Sequence, residues 1–268
     1  MNRERTLIVG LDEPEYSEIQ DRIDGMSVAY EYLPEIFLRD GELYVESRTH
    51  TGRFLKVDRV IYHGIYEDDF DFLTALALWR GPCLPDAMGM VDMRLRHSGL
   101  ARAIRVSRFG QMPRGFSIGD RSFSSDAEIV AKWGNWHCGE NKHLFSGGFT
   151  PPETAVYEPF IEGEAVRIAL VGEAAWQIRL AGDGWLKSIH DDRAGEMEMD
   201  PELLEDTRNI ARAFQLATVG VDYMVAHTGE RHLLEVNHIP NVTVFPFMRK
   251  AFIELAADWC AGETPARI

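Results

Sequence analysis

The 268-residue chain is short of cysteine, of basic charge and of long apolar runs, and each shortage removes a class of protein. Its three cysteines, Cys83, Cys138 and Cys260, lie far apart. An odd, sparse set builds no disulfide framework and fits a reducing cytoplasm, the expected location. Lysine and arginine number 28 against 43 aspartates and glutamates, so the formal charge is −15 at pH 7. That balance argues against nucleic acid and against an anionic membrane as partners. The longest apolar runs, 72–79 and 242–248, fall far short of the roughly 20 residues that span a bilayer. After the basic start MNRERT only about five apolar residues follow, where a secretory signal needs roughly 7–15. Repeats, low-complexity tracts, GxGxxG and P-loop patterns are all missing. What is present is 45% hydrophobic and 26% charged, enough for one large domain or two or three small lobes.

Patterning gives an alternation of strands and helices. Short apolar or alternating runs predict strands at 6–10, 26–33, 41–47 and 58–64. Helical periodicity predicts helices at 16–24 and 68–80, so the first 80 residues read as a small α/β lobe. GPCLPDA at 81–87 is a break and a lobe boundary. A helix is expected over 88–103, then a Gly/Ser/Arg-rich linker over 109–125 and a strand over 127–133. Strands follow at 154–161, 165–172 and 174–181, the last two joined tightly at Gly172-Glu173. Asp200 as N-cap and Pro201 as first helical residue open a helix to about 217. Strands at 219–226 and 232–237 and a helix over 247–261 close the chain.

The segment GVDYMVAHTGERHLLEVNHIPN carries the chemistry. If its turn centres between Thr228 and Gly229, Asp222 and Glu235 are equally far from it and face each other, with Asn237 further along the same face. Like charges so opposed are unfavourable unless something positive compensates. Two carboxylates and an amide suit Mg²⁺, which binds substrate phosphates as well. The residues leave a second reading open, in which the turn register differs and one carboxylate points at solvent or at an arginine.

GVDYMV followed by LLEVNHIPN resembles the metal-binding end of the ATP-grasp superfamily, in the branch of glutathione synthetases, D-alanine–D-alanine ligases and ribosomal-protein glutamate ligases. The resemblance extends over about 83–259, while residues 1–80 match in general pattern only. It implies an α/β chain of α+β lobes with the ATP-grasp fold. A short α/β N-terminal lobe would cover 1–82 and an ATP-grasp domain 83–268, divided into a central lobe at about 83–155 and a C-terminal lobe at about 156–268. It further implies ATP and Mg²⁺ as cofactors, two ions of the metal, with Mn²⁺ able to substitute.

Carried over residue by residue, Asp222, Glu235 and Asn237 become the metal set. Lys132 would contact the α/β-phosphates, with Lys142 as the alternative. Glu158, Pro159, Phe160 and Ile161 would form the adenine hinge, and Glu164 would take the ribose hydroxyls. Arg167 would face the γ-phosphate or an acyl-phosphate, with Arg179 and Lys187 as further phosphate or substrate contacts. The family lysine near 92 is missing, since Asp92-Met93-Arg94 stands there; either Arg94 or Arg96 serves or the contact is lost. The family's glycine-rich phosphate loop is also replaced, by the bulky KWGNWHCGENKH. The segment 133–147 is expected to be a lid that orders with ATP, reported by Trp133 and Trp136. His137, Cys138 and His143 lack zinc spacing.

The activity so implied is ATP-dependent carboxylate–amine ligation through an acyl-phosphate, on small-molecule or peptide substrates. A non-catalytic nucleotide-binding protein and a small-molecule kinase are the alternatives on the same fold.

Overall fold

The computed structural model describes residues 4–135 and 140–262. Trp136, His137 and Cys138, and with them the zinc question and the middle of the expected lid, lie outside the described residues.

Strand and helix alternate first. β1 (Arg5–Val9), α1 (Glu13–Gln20) and β2 (Met26–Tyr30) are followed by β3 (Ile36–Arg39), β4 (Glu42–Ser47) and β5 (His50–Val57), then β6 (Arg59–Tyr62), α2 (Asp69–Trp79) and β7 (Cys83–Leu84). A parallel sheet has the order β2-β1-β6-β7, and β3-β4-β5 form a separate antiparallel one. The run TLIVG becomes a strand covered on both faces, the usual state of a parallel strand. Leu7 and Val9 pack into one core with α2, and Ile8 into a second core with Ile19 of α1. Gly10 follows at φ +86, where a Cβ would lie 2.2 Å from the His63 carbonyl oxygen.

His63 itself is buried, its ring centroid 5.1 Å from that of Phe252. Burial pushes its imidazole down to about 4 from an ordinary 6.5. The native state therefore resists a proton that the unfolded chain accepts. Its contribution to stability is complete above about pH 6.5 and is lost as pH falls toward 4, amounting to about 3 kcal/mol. Denaturant unfolding of the wild type and of His63→Leu across this range should show a steeper acid loss in the wild type. Parallel curves would assign the acid sensitivity to other groups.

The expected single helix over 88–103 is two, α3 (Ala87–Arg94) and α4 (Arg96–Val106), with Leu95 extended between them at φ −89. No glycine or proline marks this break. Long-range bonds hold it. Arg94 on one side reaches Asp69 and the Tyr66 carbonyl, and Arg96 on the other donates to the carbonyls of Trp133 at 2.9 Å and Glu140 at 3.2 Å. β8 (Gly115–Ser117), β9 (Phe123–Trp133), β10 (Lys142–Phe149) and β11 (Ala155–Pro159) then form an antiparallel sheet of order β10-β9-β11-β8. Two expectations change here. Part of the expected 109–125 linker is strand, and the stretch from Lys142, expected in the lid, is β10, laddered to β9.

The rest is β12 (Gly163–Val171), β13 (Ala174–Arg179), β14 (Gly195–Met197), α5 (Pro201–Phe214), β15 (Thr218–Ala226), β16 (Arg231–Asn237) and α6 (Pro246–Ala261). Its antiparallel sheet has the order β14-β13-β12-β15-β16. Asp200 caps α5 by accepting from the backbone N–H of Glu202 at 2.9 Å, and Pro201 opens the helix, as expected. Alternation along β12 divides its side chains. Val166, Ile168 and Leu170 pack toward α5, while Ala169 and Val171 pack toward α6. Arg167 shares the second face. On the α5 side, Asp206 accepts from Ser107 at 2.7 Å and from Tyr223 at 2.8 Å. That bond fixes the strand residue next to Asp222.

Candidate active site

Three strands line up one residue each. Arg167 of β12 lies opposite Asp222 of β15, and Asp222 lies opposite Glu235 of β16. The opposition of the two carboxylates comes about differently from the simple turn expected. The hairpin loop leaves Gly229 at φ +85, and Val225 pairs Arg231, one step out of the predicted register. A bulge between Leu233 and Glu235 inserts Leu234 and restores the Asp222–Glu235 pair. Asn237 stands opposite Gly220, over which the Arg167 side chain runs. A Cβ at Gly220 would lie 3.4 Å from Arg167 Cδ.

The second sheet supplies cations. Lys132 and Lys142 face each other across β9 and β10. Lys132 pairs with Glu158 at 2.6 Å and donates to the Leu234 carbonyl at 3.2 Å. Lys142 donates to Glu235 at 3.0 Å. Arg167 grips Asp222 with two bonds, Nε to Oδ1 at 2.6 Å and Nη2 to Oδ2 at 2.9 Å. This is the arginine contact left open for one carboxylate. Lys132, Glu158, Arg167, Glu235 and Asn237 are all buried. Sequence reasoning missed Arg114, which donates to Glu158 at 2.6 Å and to the Leu233 carbonyl at 2.8 Å. It sits in the presumed linker, without a local pattern to reveal it.

Between the sheets lies an open cavity lined by Lys132, Glu158, Pro159, Phe160, Ile161, Lys187, Asp222 and Glu235. Val130, Ala165, Trp185 and Met224 give it an apolar wall. Such a space suits a flat heterocycle held by a few polar groups. A second cavity shares Lys142, Lys187, Asp222 and Glu235 with the first and adds Arg167, Asn237, His190 and Asn241. Glu164 and Arg179 line neither. They pair with each other at 3.6 Å and stay about half exposed.

No family model matches the sequence, and no curated protein matches it either. Solved structures match along nearly the whole chain. D-alanyl-alanine synthetase A from Vibrio cholerae superposes with a TM-score of 0.68 over 98% of this chain and 99% of its own, at 13% identity. The RiPP-associated ATP-grasp ligase of Chryseobacterium gregarium, in complex with ADP and a leader and core peptide, gives 0.61 over 99% of each chain at 13% identity. D-cycloserine synthetase DcsG gives 0.64 over 96% of this chain and 99% of its own at 12% identity. The chain has the ATP-grasp fold.

With the ATP-grasp fold in place, the departures noted in the sequence acquire positions. Arg94 is spent on Asp69, and Arg96 on the two carbonyls at the ends of the β9–β10 connection. The residues fit a divalent metal. Asp222, Glu235 and Asn237 offer oxygen donors on one face. Among the described residues no group of three His, Cys, Asp or Glu side chains forms a closed metal cage. A set of two carboxylates and an amide leaves coordination positions for phosphate oxygens and water, as Mg²⁺ prefers.

Proposed function

We propose that this chain is an ATP- and Mg²⁺-dependent ligase joining a carboxylate to an amine. The observation that carries the reading is the convergence of Lys132, Lys142 and Arg167 with Asp222, Glu235 and Asn237 at the junction of two cavities. Adenine would lie against Glu158–Ile161 and the apolar wall, its phosphates running toward the cations. Asp222, Glu235 and Asn237 would hold Mg²⁺, which supplies Lewis-acid stabilisation of the transferring phosphoryl group. The carboxylate substrate would occupy the second cavity. Its oxygen attacks the γ-phosphorus while the bond to ADP breaks, giving an acyl-phosphate. An amine then attacks the carbonyl carbon, inorganic phosphate leaves, and the amine proton passes to solvent. Arg167 and Lys132 would offset charge on the transferring group, so positioning and electrostatics carry the rate. Lys187, at the edge of both cavities, would steer the substrate. The substrates would be small molecules or peptides.

A panel of amino acids and short peptides, screened for phosphate release with ADP and amide measured together, tests the reading. Amide with stoichiometric ADP is expected. ADP without amide would make the chain a kinase, and no turnover with any pair would make it a nucleotide-binding module. Lys132→Met should weaken ATP binding about tenfold by calorimetry, the scale of one charge-assisted bond. Glu158 keeps Arg114 in that variant. Unchanged affinity would remove Lys132 from the phosphate site.

A further inference from the structure

Lys132 and Lys142 are like charges placed directly opposite each other, an arrangement that persists only if each is offset. They are offset in different ways. Lys132 meets Glu158, which is 2% exposed and also held by Arg114 at 2.6 Å, so this ion pair lies inside its own sheet, and across the gap Lys132 reaches only a neutral group, the Leu234 carbonyl at 3.2 Å. Lys142 is the first residue of β10, and it reaches across to the other sheet, to Glu235. That pair is more open, with 16% and 10% of the two side chains exposed. Arg167 holds the neighbouring carboxylate, Asp222, from the same ladder. Both carboxylates of the proposed metal set therefore already carry cations of this chain.

We infer that Lys142 is a displaceable counter-ion. It holds Glu235 while the site is empty, and it passes to a nucleotide phosphate when a divalent cation takes the carboxylate. The inference rests on the assignment of Glu235 to the metal under the function proposed above. In the exchange Glu235 trades an ammonium for the metal, and the released ammonium gains a phosphate oxygen. No charge is left without a partner at either end. Each ligand then assists the other: the metal frees Lys142 for the phosphates, and the phosphates draw Lys142 off the metal's carboxylate. Coupling of this kind is reciprocal. It also assigns a role to a lysine on the returning strand in a chain that has no lysine at the Asp92-Met93-Arg94 position.

Two titrations on Lys142→Met test this. Mn²⁺ alone, without nucleotide, is followed by the loss of the free ion's paramagnetic resonance signal. Its binding should tighten about tenfold, because the ion pair with Lys142 no longer has to be broken. ATP at saturating Mn²⁺, followed by calorimetry, should bind about tenfold more weakly, because one phosphate contact is gone. The opposite signs separate this role from damage to the fold, which weakens both. Lys142→Arg should return both affinities toward wild type. Mn²⁺ affinity unchanged or reduced in Lys142→Met, with wild-type circular dichroism, would overturn the inference. If the wild type binds Mn²⁺ and ATP and the variant binds both equally well, the inference alone fails. If the wild type binds neither, the proposed function fails and this inference with it.

Discussion

Glu235→Gln should lower nucleotide turnover on the order of a hundredfold or more while leaving the hairpin paired. Glutamine keeps the shape of the side chain, and the β15–β16 ladder is made by backbone groups, so the substitution removes charge rather than structure. The loss is large because a hard cation depends on anionic oxygen, and only Asp222 would remain as a charged donor on this face. Asn237→Ala should act in the same direction, since it removes the third oxygen. Asp222→Asn should be milder, because Asp222 is already engaged by both nitrogens of the Arg167 fork. Phosphate release under saturating Mg²⁺ measures all three. Wild-type turnover in both Glu235→Gln and Asn237→Ala would place the metal elsewhere.

Asp69→Ala should cost about 3–5 kcal/mol of stability, the usual effect of removing one partner of a buried pair. Asp69 is fully buried and Arg94 nearly so. The carboxylate accepts from Tyr62 and from the Tyr66 backbone N–H, both at 2.9 Å, as well as from Arg94. Burial first, and then Asp69, push the Tyr62 phenol far above its ordinary range, so it stays a donor. This knot ties α2 to α3, and it fixes the turn carrying Ile65, which lines the second cavity. Urea unfolding should show the loss, and Asp69→Ala combined with Arg94→Met should recover part of it. A cost below about 1 kcal/mol for Asp69→Ala would mean that the surrounding packing, not the pair, holds the elements together.

Local chemistry announces some of this structure. The α5 cap, the Gly172-Glu173 hairpin and the apolar β1 were legible because a few adjacent residues decide them. The α3–α4 break was not, since distant carbonyls and Asp69 hold it. Lys142 reads as loop because its segment is polar, yet its strand is completed by β9. The Asp222–Glu235 pair was reached from the sequence through a two-residue turn. The chain reaches it through a longer loop and a compensating bulge, two shifts that cancel. Arg114 was invisible because its partners, Glu158 and the Leu233 carbonyl, lie 44 and 119 positions away.

The bulge at Leu234 also bears on how the molecule behaves in a crowd. β16 is the last strand of its sheet, and a regular outer strand invites a second chain to zip onto it. Here the rim is interrupted. The Leu233 N–H donates to the Phe109 carbonyl at 2.9 Å, Arg114 takes the Leu233 carbonyl, and Lys132 takes the Leu234 carbonyl. Lys132, on the wall of the proposed nucleotide pocket, and Arg114, which holds its partner Glu158, thus also cap a sticky edge. Neutralising Lys132 or Arg114 would bare part of that edge, so such variants should lose solubility at high concentration.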